Sequence, residues 1–279
     1  MAVSLRTELE VNAALNYVDT HDASPGSNKI YVAIGRTAVW SNELSPDVPK
    51  DNIEDMKLFW DGLIGMQLVE ATDIAFVVPR NDWVTATEYF LFDETSETAY
   101  DGNFYTMNDS LEVYKCVGKV GGPGTLTTVK PVGHNGGAVI DNSGTDGYSW
   151  QYMYKITPQN HSDMMTDAWM YVNWGDSEDA DQTNFGDVNA PYTLGAKYAM
   201  TRIKLVDNAG GGLPDNLAYR QLAIIRNPLD NGGVNPATGT TVLPAGLTDY
   251  TGQMLYLENK QAITRNPGQS EELKVIVSF

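Results

Sequence analysis

One segment, Tyr148 to Ile156, restricts the fold more than any other. Tyr148, Trp150, Tyr152, Tyr154 and Ile156 fall on one side of an extended chain, and Ser149, Gln151, Met153 and Lys155 fall on the other. Alternation with period two is the signature of a strand; a helix would scatter these rings around its circumference. The aromatic side reads as internal core, because rings of this size lose most when left in water.

Other extended runs share the β-branched and aromatic bias of strands. They are Lys29–Gly35, Asp73–Pro79, Thr87–Asp93, Ser110–Val117, Ala168–Trp174, Tyr198–Val206, Tyr219–Arg226, Met254–Glu258 and Leu273–Phe279. Helix signals are few. Residues 4–18 predict a modestly amphipathic helix with Leu5, Leu9 and Ala13 on one stripe. Asp51 and Glu54 have capping-box spacing, and Ile53, Met56, Trp60 and Leu63–Ile64 then repeat at helical period, with Gly65 closing the helix. Strands and helices do not alternate regularly, which disfavours a doubly wound parallel sheet. The expectation is an α+β, β-rich mixed multidomain fold with mainly antiparallel sheets and few helices. Phe279 ends the last run, and burying its ring would hold that terminus in a sheet, worth about 1.5–3 kcal/mol if complete.

Long glycine-rich connections lie at Gly118–Gly147, Asn208–Pro214 and Asn231–Gly246. Such loops suit a protein that reaches to neighbours better than a compact enzyme. Net charge is −18, with 36 acidic and 18 basic residues. No Lys/Arg cluster offsets it, so neither nucleic acid nor an anionic membrane surface is expected as a partner. The N-terminal stretch carries no secretory signal pattern, and no apolar run is long enough for a spanning helix. Production in the cytosol is the expectation.

Reaction chemistry finds little support. Cys116 is the only cysteine; it reads as a small buried hydrophobe on a strand, with no base to activate it. His21, His134 and His161 lack metal-ligand spacing. Gly118–Gly124 superficially resembles a phosphate loop, but it lacks the Gly-Lys-Ser/Thr ending, and Pro123 removes a backbone donor. It reads as a flexible connection. Asp176–Asp181, with Asn184 and Asp187 following, lacks the central glycine and closing glutamate of a calcium loop. No catalytic, cofactor or metal residue is assigned.

Two strand ends carry residue types enriched in binding hot spots. Arg36 and Trp40 follow Lys29–Gly35, and Arg80 and Trp83 follow Asp73–Pro79. The local alternative is that each Trp packs over a sheet end while Arg pairs with an acid such as Asp82. With Tyr100 and Tyr105, these four form the candidate partner-binding set.

Seven blocks, in order, carry a family resemblance: Ile30–Ser41 (IYVAIGRTAVWS), Val78–Trp83 (VPRNDW), Val113–Cys116 (VYKC), Asp146–Ile156 (DGYSWQYMYKI), Tyr219–Asp230 (YRQLAIIRNPLD), Gly252–Lys260 (GQMLYLENK) and Gln269–Phe279. Together they resemble the gene product eight family, baseplate wedge subunits of contractile-tailed, T-even-like bacteriophages. Asp93–Asp109, Lys119–Thr145 and Asn231–Leu247 do not match. The resemblance implies a virion structural protein of the tail baseplate, made in the host cytoplasm, with no enzymatic activity and no cofactor. It implies a homodimer that docks other baseplate wedge proteins and takes part in assembly and in rearrangement on tail contraction. It also implies that residues 1–92 and 217–279 build one α/β domain from both chain ends, with 93–216 an inserted β-rich region. A carbohydrate-binding or receptor-binding tail protein is the alternative, since exposed Trp and Tyr beside acids also suit a sugar site.

Overall fold

A computed structural model describes residues 2–18, 29–49, 53–69, 71–93, 102–133, 139–141, 144–156, 164–173, 189–205, 213–214, 217–229, 241–242, 251–266 and 271–279. The helices are α1 (Ala2–Val18), α2 (Ile53–Asp61) and α3 (Ala190–Thr193). The strands are β1 (Ile30–Gly35), β2 (Leu63–Leu68), β3 (Ile74–Pro79), β4 (Tyr105–Met107), β5 (Glu112–Lys119), β6 (Val139–Asp141), β7 (Tyr148–Lys155), β8 (Trp169–Tyr171), β9 (Tyr198–Leu205), β10 (Leu217–Arg226), β11 (Thr241–Val242), β12 (Gln253–Arg265) and β13 (Glu271–Ser278). The fold is β-rich with antiparallel ladders, as the strand patterning predicts.

The chain forms two compact units, one of Met1–Tyr17, Ala75–Met200 and Ser278–Phe279, the other of Val18–Ile74 and Thr201–Val277. The second unit is built on a five-stranded sheet of order β11-β2-β1-β10-β12. β1 lies between β10 (Val32 opposite Ile224) and β2 (Val32 opposite Gln67). All six residues of β1 are buried, which is why IYVAIG tolerates no polar side chain. α2 covers one face of this sheet by packing Phe59 and Trp60 against Tyr31, Ala33, Met66, Leu68, Ala223 and Ile225.

That helix is shorter than its periodicity predicts. It ends at Asp61, where the Gly62 amide turns back to the carbonyls of Leu58 (3.2 Å) and Phe59 (3.1 Å). Leu63, Ile64 and Gly65, expected as its last turn, instead open β2. A ladder beside β1 buries this apolar run, and tertiary pairing overrides a local period. Ile53, expected on the inner stripe, is 82% exposed. Asp51, the expected cap, lies outside the described residues.

In the first unit β7 is flanked by β5 and β6, in the sheet order β4-β5-β7-β6. Its rings are buried as expected, and Met153 on the other face is buried too. Tyr148, Trp150 and Tyr152 join Tyr89, Tyr114 and Cys116 in one cluster. Tyr89 meets Trp150 edge-on at 5.0 Å, the geometry that ring quadrupoles favour. Separately, β3 pairs with β8 through Val78 opposite Met170.

Thr87–Asp93, expected as a strand, forms none. Thr87 accepts from Thr127, Phe90 donates to Asn103 and Phe92 donates to Cys116. Bonds to three different segments cannot build a ladder. On α1, Val11, Ala14 and Tyr17 are buried, whereas Leu9 of the expected stripe is 68% exposed. Tyr17 is the reason: its ring lies 5.3 Å from that of Phe279. Phe279 itself is half-buried, and its amide donates to Lys197 at 3.0 Å.

The glycine-rich segment 118–133 is not a loose connection. Three carboxylates hold it. Glu88 accepts from Lys119 Nζ and from the Gly124 amide at 2.8 Å. Asp146 Oδ2 accepts from Thr127 Oγ1 (2.8 Å) and the amides of Thr128 (2.9 Å) and Val129 (2.8 Å). Glu112 accepts from Asn108 (2.7 Å), Tyr114 (2.8 Å) and the Gly133 amide (3.4 Å). Gly147 must remain glycine, because its φ is +85° and a Cβ would stand 2.5 Å from the Val120 carbonyl.

Each of these carboxyls sits below the usual carboxylate range. For Glu88 the Lys119 bond leads; for Glu112 and Asp146 burial pushes upward but the donated hydrogen bonds outweigh it. Folded values below unfolded ones add stability at neutral pH, and it is lost as pH falls through the depressed folded values. Asp146→Asn should therefore lower unfolding free energy by about 1–3 kcal/mol at pH 7, a cost that shrinks as pH falls below the usual carboxylate range, read by urea titration across pH. Trp150→Ala should cost about 3–5 kcal/mol across the same pH range, since the loss is a cavity.

Candidate partner-docking surface

The surface begins where β1 ends. Arg36 adopts φ +57° and its amide donates to the Gly62 carbonyl at 2.7 Å, which turns the chain out of the sheet. Residues 36–49 then lie along β10 and β12. The attachment point is an irregularity in that strand pair: Tyr219 faces Ile263 and Gln221 faces Asn259, so Arg220 alone stands opposite Lys260–Ala262. Extra residues in a bulge leave backbone groups without a ladder partner. The loop supplies those partners. Trp40 Nε1 donates to the Lys260 carbonyl at 2.8 Å, and the Ala262 amide donates to the Glu43 carboxylate.

Arg220 is 8% exposed, so its charge requires a partner close by. Its Nε donates to Glu43 Oε1 at 2.7 Å and its Nη1 to the Thr37 carbonyl at 2.7 Å. Glu43 Oε1 also accepts from the Trp40 amide at 2.8 Å. That bond first, then the Arg220 guanidinium, holds the Glu43 carboxyl below its usual range. Farther along, Gln261 donates to the Leu44 carbonyl (2.9 Å) and Asn259 to the Asp47 carbonyl (2.7 Å).

Glu43, the Trp40 N–H and the carbonyls of Thr37, Leu44 and Asp47 face the sheet. Val39 (66%), Leu44 (83%) and Val48 (84%) are exposed, alongside Ser41, Asn42 and Ser45. A loop held this firmly with its apolar side chains outward has the character of a docking surface.

Arg36 and Trp40 come together: the Arg36 guanidinium lies 3.8 Å from the indole centroid. Their role is largely internal, since one face of the ring and its N–H are committed. Arg80 donates through Nε to both Asp82 oxygens at 3.0 Å, the local pairing already considered for it. Trp83 is half-buried against the Tyr89 cluster, with Lys130 Nζ 5.2 Å from its ring. Tyr105 is buried and donates to the Pro79 carbonyl at 2.7 Å. Tyr100, the three histidines and the acidic run 176–187 lie outside the described residues. Sequence reasoning overlooked Val39, Leu44 and Val48, and also Arg220 and Glu43. The signal was available in Arg220, a cation inside the apolar run LAYRQLAII.

Among the described residues, reactive groups are scarce elsewhere. Burial pushes the Cys116 thiol up to about 11, so it stays protonated at neutral pH. Among the described residues no group of three or more His, Cys, Asp or Glu could hold a metal ion. A cavity of about 240 Å³ lies between Val32, Gln67–Val69, Thr72–Asp73 and Arg202–Lys204. Its carboxylate, Asp73, is matched by Lys204 Nζ at 3.3 Å and Arg202 Nη1 at 3.8 Å. No described helix is long and apolar enough to cross a membrane.

A family model described as bacteriophage T4, Gp8 matches residues 3–95 and 94–279. The chain is also similar to the baseplate wedge protein gp8 of Enterobacteria phage T4. The two are 25% identical over 319 aligned positions, covering 95% of this chain and 94% of that protein.

The Glu43 clasp generates a pH-dependent expectation. Because the folded carboxyl titrates below its unfolded value, the clasp is complete near neutral pH and is lost as pH falls through the depressed folded value. Glu43→Gln should speed hydrogen exchange at the Trp40 and Ala262 amides at pH 7 by roughly tenfold or more. Exchange rates across the β1–β10 ladder should stay within a factor of about two.

Proposed function

The chain belongs to the phage Gp8 family, and from that membership we propose that it is a structural subunit of the tail baseplate wedge in a phage virion. One observation carries the reading: the match runs through nearly the whole of this chain and of the T4 wedge protein alike. The subunit works as a homodimer, docks neighbouring wedge proteins, and takes part in the baseplate's assembly and in its rearrangement when the tail contracts. It carries out no reaction and needs no cofactor. Its net charge of −18 supports protein partners over nucleic acid or anionic lipid.

Docking of this kind needs a rigid apolar centre with a polar rim, burying about 1,200–2,000 Å² in a stable contact. The 36–49 loop supplies such a centre through Val39, Leu44 and Val48, with Arg36 and Trp40 bracing it from beneath. Arg80, Trp83, Tyr100 and Tyr105 are proposed as a second contact region. Firm attachment matters because an interface that must order a floppy loop loses affinity to entropy.

The test is reconstitution. The purified chain should co-sediment with the other wedge proteins of its phage. The triple variant Val39→Ser, Leu44→Ser, Val48→Ser should keep its circular dichroism and melting temperature but bind at least about 100-fold more weakly, the loss expected for a hot-spot cluster. Unchanged co-sedimentation of that variant would remove the loop from the interface. A wild-type chain that binds none of the wedge proteins would remove the structural reading.

A further inference from the structure

We propose that the 36–49 loop and helix α2 form one docking surface, with apolar side chains and an acidic rim, that receives a wedge protein whose own apolar patch is bordered by Lys and Arg. The proposal rests on the docking reading above and gives the partner its chemistry.

The loop and α2 cover the same face of the five-stranded sheet. Phe59 and Trp60 of α2 pack against Ala223 and Ile225 of β10, with Leu257 of β12 alongside. Alternate residues of a strand share a face, so Gln221 lies on that face as well. Asn259 stands opposite Gln221 and accepts from its Nε2 at 2.9 Å. The Asn259 side-chain amide in turn donates to the Asp47 carbonyl at 2.7 Å. At its other end the loop starts from the Gly62 carbonyl, just past α2. Loop and helix are thus anchored side by side in one layer.

In the second unit, every exposed large apolar side chain among the described residues falls in this layer: Val39, Leu44, Val48, Ile53 and Leu58. A helix turns about 100° per residue. With Phe59 and Trp60 inward, the outward arc of α2 holds Glu54, Lys57 and Asp61, with Ile53 and Leu58 at its two margins. All five are exposed.

Charge selects the occupant. The cations around the loop are committed: Arg220 to Glu43, Lys260 to Glu258, and Arg36 to the Trp40 ring. The exposed charges are then Asp47, Glu54 and Asp61 against Lys57. An anionic lipid surface is repelled by that excess. A two-fold contact with a second copy would bring the same excess of acid to both sides. A partner with an apolar patch and a Lys/Arg rim meets both features, covering Val39, Leu44 and Val48 while its cations face Asp47 and the acids of α2.

Titration calorimetry of the full chain against each of the other wedge proteins of its phage, purified singly, tests this at about 0.1 and about 0.5 M salt. One of them should bind, with a dissociation constant at least about tenfold higher in the stronger salt. In the weaker salt, Asp47→Lys and Glu54→Lys should each raise the dissociation constant at least about fivefold with circular dichroism unchanged, and Lys57→Glu should lower it. Glu54→Gln, the near-isosteric change, should fall between Glu54→Lys and the wild type. Charges beyond about 10 Å are screened in the weaker salt, so effects of this size report the local contact and not the net charge. If binding ignores salt, or the Lys variants bind as the wild type does, the cationic partner is overturned; docking through the loop survives where the triple serine variant still weakens binding. A wild type that binds none of these proteins overturns both. Self-association of the wild type that the triple serine variant abolishes makes a second copy the occupant and overturns the proposal.

Discussion

A guanidinium inside a β-sheet is costly to bury unless a carboxylate and further acceptors meet it there. Arg220 sits in that position, between Tyr219 and Gln221 on a strand of mostly apolar residues. Its demand for Glu43 draws the 36–49 loop onto the sheet, and the register slip of β12 leaves the backbone groups that Trp40 and Glu43 then satisfy. Each part makes the others affordable. The bulge creates unmet donors and acceptors, the loop meets them, and the ion pair of buried Arg220 with partly exposed Glu43 locks the loop in one place. Val39, Leu44 and Val48 are left exposed on the loop that Trp40 and Glu43 hold in place.

The same logic recurs in the aromatic unit. A chain with twice as many acids as bases would be expected to spend them on solubility. Glu88, Glu112 and Asp146 are instead turned inward as acceptors for backbone amides and hydroxyls, and they organise a glycine-rich segment that has no regular secondary structure beyond the end of β5. Hydrogen bonds to a charged acceptor are stronger than neutral ones, so a few well-placed carboxylates can replace a ladder. Segment 118–133 thus gains order without losing the left-handed glycine conformations that let it run across the surface.

Much of the fold was legible because strands announce themselves by alternation. β1, β3, β7, β9 and β10 lie within a residue or two of their sequence positions, and the aromatic face of β7 is the core its pattern foretold. Short strands such as β4, β6 and β11 were not legible, since two or three residues cannot display a period. The β2 error arose where a helical repeat ran on into an apolar segment and only pairing with β1 distinguished the two states. At the candidate surface, the residue types of Arg36 and Trp40 suit an interface, and in the fold they serve mainly to pin the loop from which other side chains project.

The order of residues by itself determined the antiparallel, strand-rich class, the buried aromatic face and the family, because those depend on local alternation and on colinear blocks. Tertiary structure alone decided where helix α2 stops, which carboxylates turn inward and which apolar residues the 36–49 loop presents. Those outcomes hinge on contacts between residues far apart in the chain, Glu43 with Arg220 above all. No window of sequence contains both ends of such a bond, so its free energy is invisible until the strands are laid side by side.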